Sequence, residues 1–186
     1  MKIAVAGIPR SGTTMTFRAL AGLPRGGTTP KDYDGPIVKT HTRAPQELAG
    51  ITKAIFLFGD PVASVISTRH NRWSAGHFKN CGVEDISPDE ADIYVEDLLG
   101  YEKMFDAWTQ RQPFDCICVR YESLHDNLQI LNTFFGQHLY VQPYRARATR
   151  PEERESEGTL ARIKQTYATF IRKVEAAPDV MIYRAS

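Results

Sequence analysis

The chain has 186 residues, with 23 Lys and Arg against 22 Asp and Glu. That length is a prior for one domain over residues 1–186, and the balanced charge excludes nucleic-acid binding by bulk electrostatics, so any anion recognition has to be local. Cys81, Cys116 and Cys118 lack metal-type or redox-type spacing; no signal peptide and no run near the ~18 apolar residues of a membrane span is visible, so the expectation is a reduced, cytoplasmic chain without a membrane partner.

In chain order, Lys2 to Ala6 reads as a short buried strand entering a glycine turn, and Thr13 to Leu20 as a helix. Gly22 to Gly35 is rich in Gly, Pro, Thr and Asp and reads as a loop, followed by a short strand over Ile37 to Lys39. Ala54 to Phe58 is a continuous apolar run, as a strand buried on both faces requires. Asp60-Pro61 opens a helix, with Asp60 as N-cap and proline at its first position. Arg72 to Asp85 reads as irregular.

Ser87-Pro88-Asp89-Glu90 forms a capping box, and the helix it predicts carries Ala91, Tyr94, Val95, Leu98, Tyr101, Phe105 and Trp108 on one face. A further strand covers Asp115 to Tyr121. Glu122 to Phe135 reads as a helix stopped by Gly136, and a last helix carries Leu160, Ile163, Tyr167, Phe170, Ile171 and Val174. Strands alternating with helices predict an α/β fold, a mainly parallel sheet flanked by helices.

The first loop, Gly7-Ile8-Pro9-Arg10-Ser11-Gly12-Thr13-Thr14, joins a strand to a helix, the context in which backbone N–H groups cradle phosphate. Against the pattern G-x-x-x-x-G-K-[ST], both glycines and Thr14 are in place, but Thr13 replaces the lysine that reaches the β- and γ-phosphates. A cation is present instead as Arg10. That points away from triphosphate hydrolysis.

Pro9-Arg10-Ser11-Gly12-Thr13-Thr14 resembles the 5′-phosphosulfate loop, P-[KR]-S-G-[TS]-[TS], of sulfotransferases that use PAPS (3′-phosphoadenosine-5′-phosphosulfate). Three further segments resemble that family in the same order: Lys39-Thr40-His41, Asp60-Pro61 through Ser67, and Val119-Arg120-Tyr121-Glu122-Ser123-Leu124. The resemblance spans about residues 3 to 136 and implies a three-layer P-loop-like fold. Gly59 stands where the family has the arginine that grips the 3′-phosphate, Met15 where many members have a tryptophan, and the family's C-terminal R-K-G-x-x-G-D-W segment is absent.

The resemblance implies His41 as general base, with Arg10 and Lys39 neutralising charge on the leaving 5′-phosphate and the sulfuryl oxygens. It implies donor binding by Pro9, Arg10, Ser11, Gly12, Thr13 and Thr14, with Ser67 and Tyr121 nearby. Arg69, Arg72, Arg145, Arg147 and Arg150 are candidates for the missing 3′-phosphate contact. No metal is called for; the acceptor would be a hydroxyl (or amine) on a small molecule, glycan or peptide, and the segment from Arg72 to Asp85 its wall. Two alternatives stay open: a kinase-like enzyme on Mg-ATP with Asp60 holding the metal, and a nucleotide-binding module without turnover.

Overall fold

A computed structural model describes residues 1–24, 29–70, 74–83, 91–141 and 150–185, the side chains at 74, 75 and 77 excepted. Every residue of Ile3–Gly7 (β1) is buried, as an apolar run in a doubly covered sheet must be. Then come Thr13–Ala21 (α1), Ile37–Thr40 (β2), Lys53–Phe58 (β3), Pro61–Arg69 (α2) and Ser74–Asn80 (α3). Tyr101–Trp108 (α4), Asp115–Arg120 (β4) and Leu128–Phe135 (α5) follow. Glu157–Thr166 (α6), Ala168–Ala176 (α7) and Val180–Tyr183 (β5) complete the described elements.

The strands form one sheet in the order β2-β1-β3-β4-β5. The first four run parallel, and β5 is antiparallel to β4. This matches the α/β expectation of a mainly parallel central sheet flanked by helices. Ala4, Ala6, Phe56 and Phe58 face the side covered by α2, α4 and α7, while Val5, Ile55, Leu57 and Val119 face α1 and α5. Among the described residues no helix is long and apolar enough to cross a membrane.

The sheet's first face is an aromatic stack. The Trp108 ring lies parallel to Phe56, with centroids 5.5 Å apart, and Phe105 meets Phe58 edge-on at 5.3 Å. Trp108 is fully buried, and its indole N–H donates to the Thr42 carbonyl at 2.9 Å. That bond satisfies the one polar atom of the side chain and ties α4 to the segment after β2.

Several elements differ from their sequence patterns. The expected helix from Ala91 onward begins only at Tyr101, and residues 91–100 are turns. Gly100 adopts a left-handed conformation (φ 64°), and the Asp97 carboxylate takes the backbone N–H groups of Tyr101 and Glu102 at 2.9 and 3.0 Å. Asp97 is thus the true cap, and the capping box over 87–90 lies outside the described residues. The stretch from Arg72 to Asp85, expected to be irregular, contains α3.

The helix expected from Glu122 starts as a 3₁₀ turn over Tyr121–Ser123 and becomes α-helical only at Leu128. Gly136 stops it as expected, in the left-handed region. The last helix breaks at Tyr167, whose hydroxyl donates to the Ile93 carbonyl at 2.8 Å. The apolar spacing carries across the break, so the pattern alone does not reveal it. β5 is half-exposed and four residues long, too short to show a period.

Replacing Trp108 with Ala should remove about 3–5 kcal/mol of folding stability. Urea unfolding of Trp108→Ala beside Trp108→Phe checks this, because the phenylalanine keeps much of the stack and loses only the bond to Thr42.

Candidate functional site

The loop after β1 is built from its own backbone. The Ile8 N–H donates to the Leu57 carbonyl at 2.9 Å, and the Ser11 N–H to the Ile8 carbonyl at 3.1 Å. The Ser11 hydroxyl, 1% exposed, lies 2.6 Å from the Ile8 carbonyl and 2.9 Å from that of Leu57. Its one hydrogen is committed inward and its N–H goes to Ile8, so Ser11 shapes the loop.

Arg10 (φ 74°) and Gly12 (φ 82°) both adopt left-handed backbone. Left-handed residues just before a helix are a backbone pattern found in anion-binding loops, and here they precede α1. Arg10 is the one non-glycine residue at positive φ among those described, a conformation costing about 1–2 kcal/mol. Pro9 is buried, Thr13 packs against Gly7, and Thr14 is exposed on the first turn of α1. Of the two threonines, Thr14 is the one whose side chain solvent reaches.

Tyr121 closes the loop from the β4 side. A Cβ on Gly12 would stand 2.5 Å from Cε2 of its ring. Gly12 is therefore required twice, by its φ and by this contact.

On the other side of β1, β2 pairs Val5 with Lys39 and Ala6 with Thr40, which carries Lys39 and His41 to the sheet's C-terminal edge. His41 is 2% exposed. Its Nδ1 lies 2.6 Å from the Gly7 carbonyl, which can only accept, so Nδ1 carries the hydrogen. Nε2 then holds the lone pair and lies 3.1 Å from Lys39 Nζ, which donates to it. Burial lowers the Lys39 pKa, a shift the nearby Cys81 opposes. Burial also pushes the Cys81 thiol up to about 12, so Cys81 is a neutral neighbour.

Toward β3 and β4 the loop opens into a cleft of about 410 Å³. Arg10, Ser11 and Tyr121 line one end, and Gly59, Asp60, Ser64 and Glu122 the other. Arg150 and Glu152 form its outer wall. A broader depression of about 1000 Å³ shares Asp60, Glu122 and Arg150 and continues over Ile171 and Val174 of α7. Asp60 caps α2 as expected, accepting the Ala63 N–H at 2.9 Å. Glu122 Oε1 accepts the Asp60 N–H at 3.0 Å.

The loop residues, Tyr121, Lys39 and His41 thus converge around the end of β1. Ser67 and Arg69 lie further along α2 and do not line the cleft; Ser64, on an earlier turn, does. Arg145 and Arg147 fall outside the described residues, as do Arg72 and Trp73. Arg150 reaches the cleft because the segment after it crosses α2: Pro151 is buried, and Glu155 accepts from His70 and from the Tyr94 hydroxyl, both at 2.5 Å. Ser64 and Glu155 gave little signal in sequence: Ser64 faces the cleft only through the turn of α2, and Glu155 is placed by His70 and Tyr94.

Comparison with known protein-family models and with curated proteins finds no match for this chain.

Two outcomes follow from this geometry. Gly12→Ala should lose about 1–2 kcal/mol to backbone strain alone. Because Tyr121→Ala removes the ring but not the strain, the double variant should recover only part of the loss in melting temperature. For Glu155, burial favours the protonated form, but the bonds from Tyr94 and His70 prevail and hold it below its ordinary 4.5. A carboxyl depressed on folding adds stability above its unfolded value, and that gain fades as pH drops through the folded value. Urea unfolding near neutral pH and below about pH 4 should show a smaller acid-side loss in Glu155→Gln than in the unaltered chain.

Proposed function

We propose that the chain is a small PAPS-dependent sulfotransferase with a P-loop-like fold, transferring a sulfuryl group from the nucleotide to a hydroxyl or amine. One observation carries this reading: His41 and Lys39 lie on the β2 side of the Gly7–Thr14 loop and the nucleotide-sized cleft on its β3–β4 side. In-line transfer needs that division, with the attacking oxygen and its base on one side of the sulfur and the leaving group on the other.

In this reading the loop amides and Arg10 hold the 5′-phosphosulfate. The acceptor oxygen forms a bond to sulfur as the bond from sulfur to the bridging 5′-phosphate oxygen breaks. The acceptor proton passes to His41 Nε2, and the electron pair leaves with the nucleotide phosphate, where Arg10 offsets its charge. The Gly7 carbonyl keeps the hydrogen on Nδ1, so the lone pair stays on the nitrogen beside Lys39. Lys39 has to exchange His41 for the sulfuryl oxygens as the donor binds.

The second reading is a kinase-like enzyme on Mg-ATP with Asp60, which follows β3, as the metal ligand; among the described residues no group of three or more His, Cys, Asp or Glu is placed to hold a metal ion. Calorimetry separates the two: adenosine 3′,5′-bisphosphate (PAP) or AMP binding without metal supports the sulfotransferase, and binding confined to Mg-ATP overturns it. With labelled PAPS, His41→Ala should reduce turnover at least about a hundredfold, within the range for loss of a general base, while retaining nucleotide affinity. Unaltered protein that binds nucleotide but turns nothing over would leave a binding module.

A further inference from the structure

We infer that the sulfuryl donor taken by this cleft carries a free hydroxyl at the ribose 3′ position in place of a phosphate, so that the preferred nucleotide is of the adenosine 5′-phosphosulfate kind. This rests on the sulfotransferase reading and changes its donor from PAPS to the nucleotide without the 3′-phosphate.

Gly59 stands where the resemblance puts the 3′-phosphate contact, and the side chains beside it are carboxylates. At Gly59, a Cβ would stand 2.8 Å from Glu122 Oε1 and 3.0 Å from Oε2. An arginine at that position has no room while Glu122 keeps its place. Glycine and glutamate are thus matched, and the space a cationic side chain would cross holds an acid.

Two of the backbone donors there are also taken. Glu122 Oε1 holds the Asp60 N–H at 3.0 Å, and Asp60 Oδ1 holds the Ala63 N–H at 2.9 Å. A helix N-terminus ordinarily attracts phosphate through such amides. Here the chain's own carboxylates occupy these two, and a phosphate taking either amide would displace one carboxylate while facing the other.

Charge points the same way. With Arg10 committed to the 5′ group, Arg150 is the other cation lining the cleft among the described residues, against Asp60, Glu122 and Glu152. A phosphate monoester adds about −1.5 to −2 near pH 7. A ribose hydroxyl adds no charge and donates a hydrogen bond that a carboxylate accepts, as acidic side chains do for the ribose of dinucleotides. The carboxylates that oppose a 3′-phosphate therefore suit a 3′-hydroxyl.

The test is calorimetry of the full chain with 5′-AMP and with PAP, at one ionic strength and without metal. AMP should bind at least about tenfold tighter than PAP, a difference of about 1.4 kcal/mol. Glu122→Gln keeps an acceptor for the Asp60 N–H and removes the charge, so it should narrow the AMP-to-PAP ratio at least about threefold. Asp60→Asn, which keeps the cap on Ala63, should do the same, and covers the case in which the first variant melts early. PAP binding as tightly as AMP, or tighter, overturns the inference and leaves the sulfotransferase reading standing. An AMP preference unchanged in both variants also overturns it, since the carboxylates would not be its source. Failure of both nucleotides to bind overturns the reading and the inference together.

Discussion

The Gly7 carbonyl accepts the Nδ1–H of His41 at 2.6 Å, and no side chain fits on the same residue. A Cβ there would come within 2.5 Å of the Leu57 carbonyl and 2.8 Å of Thr13 Cγ2. Four elements meet at this point: β1 ends in it, β2 delivers His41, β3 passes behind it, and α1 packs on it through Thr13. Close packing leaves such a junction little freedom. The direction in which the loop leaves β1, the tautomer of His41 and the position of Lys39 all depend on it.

From that junction the site divides by strand order. Because β1 lies between β2 and β3, residues following β2 reach the loop from one side and residues following β3 and β4 from the other. Parallel sheets place ligands at the carboxyl ends of their strands for this reason. The two sides differ in character. The β2 side is buried and low in charge: His41 is closed from solvent and the Lys39 ammonium is disfavoured by burial. The β3–β4 side is open and dense in charge, with Asp60 and Glu122 each holding a backbone amide. A proton acceptor gains from the first environment and recognition of a polar ligand from the second.

The outer wall of the cleft has a different origin. Arg150 and Glu152 belong to a segment that adds no strand to the sheet. Its position comes from buried Pro151 and from the bonds of Glu155 to His70 and Tyr94. Tyr94 in turn sits on the turn segment that Tyr167 and Thr166 secure through the carbonyls of Ile93 and Tyr94. The break between α6 and α7, the unwound stretch before α4 and the wall of the cleft are therefore one connected arrangement.

Much of the framework was legible in the residues themselves. Runs such as Ala54–Phe58 have to be buried on both faces, Asp60-Pro61 has to begin a helix, and two glycines between a strand and a helix have to turn the chain so that amides converge. Those are local requirements of backbone and solvent, so residue order alone determined the parallel sheet and the position of the loop with Arg10 in it; the candidacy of Lys39 and His41 came from the family resemblance. Tertiary structure decided what depends on partners far apart in the chain. Asp97 rather than the 87–90 box caps α4, Tyr167 divides one apolar pattern into two helices, Ser64 rather than Ser67 faces the cleft, and Glu122 fills the space beside Gly59. The hydrogen bond from Asp60 to Glu122 and the steric exclusion between Gly59 and Glu122 exist only once both strands are paired, and no periodicity along the chain encodes them.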